Sequence, residues 1–123
     1  LSRGVKKLIF IENYSRVITL LKKNLFGLKT IKNYEIIEKN IYNENIFLEL
    51  NNKFDIIFLD PPYKDKNLEN LLNEIKDQKI LKKNGIIILH RHNDENYSLP
   101  IDFQIIEQKI YGISKVIFLY YLY

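Results

Sequence analysis

The feature that most constrains the fold is the segment Phe54–Leu59, where an unbroken apolar run follows Asp55 and stops at Asp60. Continuous apolar runs of this length are typical of strands in parallel sheets, which are covered on both faces. The run therefore predicts a central strand that is buried on both faces. The two prolines after Asp60 cannot continue the strand, because they lack a backbone N–H group.

Strands and helices are predicted to alternate along the chain before it ends in a hairpin. Short apolar runs predict strands at residues 7–11, 34–37 and 86–89, and a four-residue turn, Lys82-Lys83-Asn84-Gly85, is predicted before the last of them. Apolar stripes at helical spacing predict helices at residues 14–26, near residues 46–50, and after Asp65. Two β-rich runs, residues 103–110 and 114–121, flank Tyr111-Gly112-Ile113 and predict an antiparallel hairpin. This order predicts a doubly wound α/β fold whose mostly parallel sheet ends in an antiparallel edge.

Length and composition narrow the class of protein. The chain has 123 residues, of which 46% are hydrophobic, so we expect one core and a single domain over residues 1–123. Its apolar runs are far shorter than the roughly 20 residues of a membrane-spanning helix, and no secretory signal is expected. The absence of cysteine excludes disulfides and cysteine-based zinc sites, and a cytoplasmic setting is expected. The net charge of +4 favours a polyanionic partner such as a nucleic acid.

Asp60-Pro61-Pro62-Tyr63 follows the predicted central strand, at the edge where open α/β sheets bind ligands. The prolines fix the backbone and leave the Pro61 carbonyl beside the Asp60 carboxylate, so that two acceptors lie close together. Two fixed acceptors would hold both hydrogens of an exocyclic base amine and stabilise the positive charge that grows on its nitrogen during attack. Asp60 could then take up the proton, and Tyr63 could stack on the base. The alternative is that the prolines only end the strand while Asp60 caps a turn.

Three other sites carry weaker signals. Glu12 ends a predicted strand, where a carboxylate can accept hydrogen bonds from both hydroxyls of a ribose. The alternative is that Glu12 is a solvated acid beside a helix N-terminus. Asn40 follows the next strand and could contact an adenine edge, although a turn also accommodates asparagine. His90 and His92 lie two residues apart on one strand face, but a third ligand is missing, so no metal site is predicted. Contact with RNA phosphate or simple exposure is favoured for both imidazoles.

Four segments match the motifs of one known family. They are Leu1-Ser2-Arg3-Gly4, Leu21-Lys22-Lys23-Asn24-Leu25, the run from Phe54 to Tyr63, and Tyr111-Gly112-Ile113-Ser114-Lys115-Val116. In these segments the chain resembles the bacterial 16S ribosomal RNA guanine-N2 methyltransferases, which have the class I methyltransferase fold. The resemblance implies S-adenosyl-L-methionine as cofactor, a guanine N2 amine as target, and ribosomal RNA or the small ribosomal subunit as partner.

The resemblance also implies roles for individual residues. The implied catalytic residues are Asp60, Pro61, Pro62 and Tyr63. The implied cofactor-binding residues are Glu12, Asn13, Asn40, Ile41 and Asp60, and no metal ligand is implied. Asn40 stands where the family usually has an aspartate, so a charge is lost while an acceptor is kept.

One part of the family pattern is absent from the sequence. The family begins with a strand and a Gly-rich Asp-x-Phe-x-Gly-x-Gly loop, directly before the segment that matches Leu1-Ser2-Arg3-Gly4. In the resembled fold that strand lies between the strands predicted at residues 7–11 and 54–59, and its loss would leave unpaired backbone groups on two buried edges. We therefore expect this chain to be an incomplete domain that binds the cofactor poorly alone and pairs with a missing N-terminal segment.

Three other functions stay open at this point. The same clamp would serve another amino-methyltransferase, acting on adenine in DNA or on glutamine in a protein. The chain could instead be a non-catalytic, basic nucleic-acid-binding remnant that lacks the cofactor loop. The last alternative is a structural α/β domain in which Asp-Pro-Pro-Tyr is only a turn.

Overall fold

A computed structural model describes residues 8–12, 15–26, 34–39, 46–47, 50, 53–60, 67–94 and 98–121. The chain divides into two compact units, residues 1–46 and residues 47–123. Among the described residues each unit contains its own sheet, of two strands in the first and four in the second. The expectation of a single domain stays a prediction. The helix expected after Asp65 begins at Leu68 and has its N-cap at Asn67, so Asp65 is not its cap.

The first unit is a strand–helix–strand arrangement. It consists of β1 (Leu8–Ile11), α1 (Ser15–Phe26) and β2 (Tyr34–Ile37). The two strands pair in parallel with Ile11 opposite Ile37. Ile18 and Leu25 are the buried residues of α1, and because they are seven positions apart they lie on one face of the helix. The parallel unit predicted from the sequence is therefore confirmed.

The second unit carries the longer sheet. Its elements are β3 (Phe54–Leu59), α2 (Leu68–Asp77), β4 (Leu81–His92), β5 (Phe103–Tyr111) and β6 (Ser114–Tyr121). The strands are ordered β3-β4-β6-β5, with β3 parallel to β4 and the other two pairings antiparallel. Gly112 has a φ of 57°, which glycine adopts at no steric cost in the hairpin turn. The predicted terminal hairpin is confirmed, and the sheet that it closes is mixed, with one parallel and two antiparallel pairings among its described strands. No helix in the described ranges is long and apolar enough to cross a membrane.

The core of the second unit combines α2 with one face of the sheet. In the register of β4 with β6, Leu89 lies opposite Ile117 and Ile87 opposite Leu119, so these four side chains share a face. Buried residues from this face and from α2 form the core: Leu59, Leu68, Leu71, Leu72, Ile75, Ile87, Leu89, Ile117 and Leu119. Two side-chain contacts join α2 to the segment before β5. Ser98 Oγ donates to Glu69 Oε2 at 3.0 Å, and Lys76 pairs with Asp102.

The burial expected for β3 is wrong on one face. Leu59 is buried, but Ile56 and Phe58 are each 62% exposed. β3 is an end strand of its sheet, and no described residue buries the face that carries these two side chains. An apolar run shows that a strand is suited to burial on both faces, whereas actual burial depends on what lies over each face.

The start of β4 also differs from the prediction. The strand begins at Leu81, ahead of the predicted turn, and continues to His92, beyond the predicted end at Leu89. Its pairing with β3 shifts between Phe54 and Ile56, and Asn84 has a φ of 67° in the irregular stretch. The turn-forming residues Lys82-Lys83-Asn84-Gly85 therefore create a local irregularity inside the strand, because asparagine tolerates the left-handed conformation that such a distortion needs.

The helix expected near residues 46–50 is described only in part. Ile46 and Phe47 are buried, and the backbone N–H of Leu50 donates to the carbonyl oxygen of Phe47 at 3.2 Å. Residues 48–49 lie outside the described residues. The helix itself therefore stays a prediction.

Candidate functional site at the carboxyl ends of the parallel strands

Asp60 directly follows the last residue of β3. Because β3 and β4 are parallel and Leu59 lies opposite Leu89, Asp60 and His90 become neighbours at the carboxyl end of this strand pair. In open α/β sheets this is the edge where ligands bind. The structure thus places Asp60 at the position that the sequence predicted for it.

Asp60 and His90 are joined by a direct side-chain contact. His90 Nδ1 lies 3.0 Å from Asp60 Oδ1. An ionised carboxylate can only accept hydrogen bonds, so the imidazole donates through its Nδ1–H group. The Asp60 side chain is 61% exposed and the His90 side chain 34% exposed. The site therefore presents an accessible carboxylate that a more buried imidazole contacts from one side.

This partnership was not predicted from the sequence. The sequence pairs His90 with His92 instead, because alternate residues of a strand share a face. The structure separates their contacts, since His92 Nδ1 accepts the backbone N–H of Asp94 at 3.2 Å. A usable signal existed in the sequence: Asp60 and His90 each follow an apolar run predicted as a parallel strand, and such ends meet at one edge of a sheet.

Glu12 occupies the equivalent position in the first unit. Its backbone N–H donates to the carbonyl oxygen of Ile37 at 3.1 Å, which holds it at the carboxyl end of the β1–β2 pair. Glu38 follows β2 and forms an ion pair with Lys22 of α1, with 2.7 Å between Glu38 Oε1 and Lys22 Nζ. The half-buried Glu12 thus lies where a carboxylate could accept ribose hydroxyls. Its role in cofactor binding stays a prediction.

The remaining predicted site residues are not described. Asn13, Asn40 and Ile41 of the expected cofactor set lie outside the described residues, as do Pro61, Pro62 and Tyr63 of the expected catalytic loop. Among the side chains that the structure does describe, no group of three or more His, Asp or Glu residues could hold a metal ion.

Comparison with known proteins gives one family. The family model described as "Conserved hypothetical protein 95" matches residues 1–120. A curated relative from Haemophilus influenzae, "Ribosomal RNA small subunit methyltransferase D", is 30% identical over 114 residues, which are 92% of this chain and 59% of the relative. The resemblance to ribosomal RNA methyltransferases expected from the sequence is therefore confirmed. The chain spans between 59% and 64% of the length of three of the curated relatives that it matches and 32% of a fourth.

Solved structures show the same fold. A conserved hypothetical protein from Streptococcus pyogenes superposes with a TM-score of 0.84 at 22% identity, over 96% of this chain and 73% of that protein. An rRNA methylase from Streptococcus thermophilus superposes with a TM-score of 0.67 at 17% identity, over 100% of this chain and 79% of that protein. The expected α/β fold of the methyltransferase class is thereby confirmed.

Proposed function

This chain belongs to the family described as "Conserved hypothetical protein 95", and from that premise we propose that it forms part of an S-adenosyl-L-methionine-dependent methyltransferase. The proposed target is the exocyclic N2 amine of a guanine in small-subunit ribosomal RNA. The observation that carries the proposal is the exposed Asp60 carboxylate at the carboxyl end of a parallel strand pair, directly before Pro61-Pro62-Tyr63. The name of the Haemophilus relative supports the choice of ribosomal RNA.

In this proposal Asp60 acts directly on the substrate amine. The amine nitrogen of guanine is a poor nucleophile, because its lone pair is delocalised into the ring. The Asp60 carboxylate accepts one N–H of the amine, the Pro61 carbonyl accepts the other, and the nitrogen is thereby oriented for attack. Both acceptors stabilise the positive charge that develops on the nitrogen. Asp60 then takes up the proton that the nitrogen loses, and Tyr63 stacks on the base.

The residues of the first unit fit the proposed cofactor. S-adenosyl-L-methionine, when bound, supplies a methyl group on a sulfonium, which is electrophilic enough to react with an amine. Glu12 lies at the end of a parallel strand, and a carboxylate there can accept the two ribose hydroxyls of a nucleoside. Asn13, Asn40 and Ile41, together with Asp60, complete the proposed cofactor-binding set.

The charge of the chain suits the proposed partner. Lys and Arg number 19 against 15 Asp and Glu, a net charge of +4. Contacts between basic side chains and phosphates supply much of the affinity for nucleic acids, and that contribution decreases with salt. We therefore propose ribosomal RNA or the small ribosomal subunit as partner, in the cytoplasm.

Cofactor binding is the first test of the proposal. S-adenosyl-L-methionine is titrated calorimetrically into the 123-residue chain and into a version that is extended upstream along its gene. Tight binding by the extended version, which Glu12→Ala weakens at least tenfold, is the expected result, with weak binding by the 123-residue chain. The matched control is Glu35→Ala, at an exposed position of β2. Absence of binding by both proteins would refute the proposal.

Identification of the product distinguishes the alternative substrates. Whichever of the two proteins binds the cofactor, called the binding-competent protein, is incubated with methyl-labelled cofactor and one substrate at a time. The substrates are small ribosomal subunits, bare 16S RNA, adenine-containing duplex DNA and a glutamine-bearing protein. We expect the label in the RNA, and N2-methylguanosine in a nuclease digest of that RNA. Label in adenine or in glutamine would move the function to another amino-methyltransferase, and cofactor binding without transfer would favour the non-catalytic remnant.

A further inference from the structure

His90 reaches Asp60 across two neighbouring strands. Leu59 pairs with Leu89 in the parallel register of β3 and β4, and the following residue of each strand contributes one member of the pair. The 3.0 Å separation of His90 Nδ1 and Asp60 Oδ1 is a normal hydrogen-bond distance. The contact therefore lies one residue beyond the last paired residues of β3 and β4.

The burial of the two side chains shows which one positions the other. Packing does not fix the Asp60 side chain, since it is mostly exposed, whereas two-thirds of the His90 side chain is covered. His90 also lies within β4, and in the ladder of β4 with β6 it pairs with Val116. A residue held within a paired strand can thus fix the orientation of an exposed carboxylate at the sheet edge.

We propose that His90 is a positioning residue for Asp60. This inference rests on the proposed function. The Nδ1–H group of His90 holds Asp60 Oδ1 and thereby leaves Oδ2 to accept the N–H of the substrate amine. Catalytic groups act efficiently when neighbouring hydrogen bonds lock their rotamers before the substrate arrives.

His92 is the natural control for His90. Both imidazoles lie on the same face of β4, because they are two residues apart. His92 Nδ1 accepts the N–H of Asp94, which requires an unprotonated Nδ1 and places the ring proton on Nε2. The two histidines are therefore expected to be opposite tautomers, His90 with its proton on Nδ1 and His92 with its proton on Nε2.

The first arm of the test measures these tautomers directly. The chain contains only two histidines, so long-range ¹H–¹⁵N correlation spectra resolve both rings. We expect the Nδ1–H form at His90 and the Nε2–H form at His92. Asp60→Ala should convert His90 to the Nε2–H form and leave His92 unchanged. An Nε2–H form of His90 in the unmodified protein would overturn the inference without any assay of activity.

The second arm measures methyl transfer to RNA by the binding-competent protein. His90→Leu removes the donor and should lower kcat by about 10- to 100-fold, the usual effect of losing a supporting hydrogen bond, while KM for RNA stays unchanged. His90→Asn keeps an N–H donor close to the Nδ1 position and should restore most of kcat. Asp55→Asn, at an exposed position of β3, should leave kcat unchanged. An equal decrease of kcat in His90→Leu and His90→Asn would overturn the positioning role. An increase in KM with kcat unchanged would also overturn it.

The two arms separate failure of this inference from failure of the proposed function. Methyl transfer by the unmodified protein, with no effect of His90→Leu, would refute the positioning role and leave the proposed function intact. Expected tautomers without any methyl transfer would refute the proposed function. The positioning role would then be overturned with it, and the Asp60–His90 pair would be a structural contact.

Discussion

The rings of Phe103 and Tyr121 meet edge to face, with their centroids 5.4 Å apart and their planes at 63°. The two residues are opposite each other at the open end of the β5–β6 hairpin, and both are buried. Tyr121 Oη also donates to the carbonyl oxygen of Leu81 at 3.5 Å, which joins the hairpin to the start of β4. Aromatic pairs in this geometry stabilise proteins beyond the area that they bury.

Phe103→Ala should therefore strongly destabilise the second unit. Loss of a buried phenylalanine leaves a cavity and lowers the free energy of unfolding by about 3–5 kcal/mol. Ile110→Ala is the matched control near the turn of the same hairpin, where the side chain is 56% exposed, and it should change stability by less than about 0.5 kcal/mol. Urea denaturation followed by circular dichroism measures both variants. Similar losses in the two would contradict the assignment of Phe103 to the core.

Replacement by alanine should destabilise the protein by different amounts at the two described glycines, Gly85 and Gly112. A Cβ at Gly85 would lie 2.6 Å from Leu81 Cδ1 and 2.8 Å from the carbonyl oxygen of Lys82, so that backbone or a buried side chain has to move. Gly85→Ala should cost about 1–3 kcal/mol through this overpacking. Gly112 has a φ of 57° and open space around its Cβ position, so Gly112→Ala should cost only the backbone strain of about 1 kcal/mol. Thermal unfolding of both variants compares them, and a larger loss at Gly112 would contradict the steric account.

Much of this fold could be predicted because its signals are local. The bounds of β2 and β3 match the prediction to the residue, and the hairpin differs by one residue at the end of β5. In each case a β-rich run is bounded by residues that end strands, which is information contained in the segment itself. The start of β4 was missed because Asn84 and Gly85 indicate a turn, and only pairing with β3 keeps the strand continuous through them.

In the candidate site, the sequence predicts the position of Asp60 but does not predict its contact with His90. The position of Asp60 follows from one apolar run and the prolines after it. The contact with His90 depends on the register between strands thirty residues apart, and register is set by pairing and packing across the whole sheet. The exposure of Ile56 and Phe58 has the same kind of cause, because it depends on what covers a sheet face.

Burial should dominate stability in the first unit, with little contribution from charge. Leu25 is 2% exposed on α1, and Leu25→Ala should lower the free energy of unfolding by about 2–5 kcal/mol. The ion pair of Lys22 with Glu38 joins two side chains that are more than half exposed, and Glu38→Gln should cost about 0–1 kcal/mol, less as salt is added. Denaturant titrations at low and high salt measure both. A larger cost for Glu38→Gln would show that the β2 end depends on this contact.

Replacement of Asp60 by asparagine separates a catalytic carboxylate from a turn residue. The amide oxygen of asparagine still accepts from His90 Nδ1, so the contact across the strands is kept while the negative charge is removed. Loss of an electrostatic stabiliser of developing charge should lower kcat by about 10²–10³-fold. Stability should change by less than about 0.5 kcal/mol, because Asp60 is mostly exposed.

Methyl incorporation per folded molecule provides the measurement, with the folded fraction taken from circular dichroism. Asp55→Asn is the matched control, since Asp55 is an exposed aspartate of the same strand and forms an ion pair with Lys82 at 3.5 Å. It should leave kcat unchanged. If Asp60→Asn lowers stability and leaves turnover per folded molecule intact, Asp60 is a turn residue, and both the proposed clamp and the positioning role of His90 would be wrong.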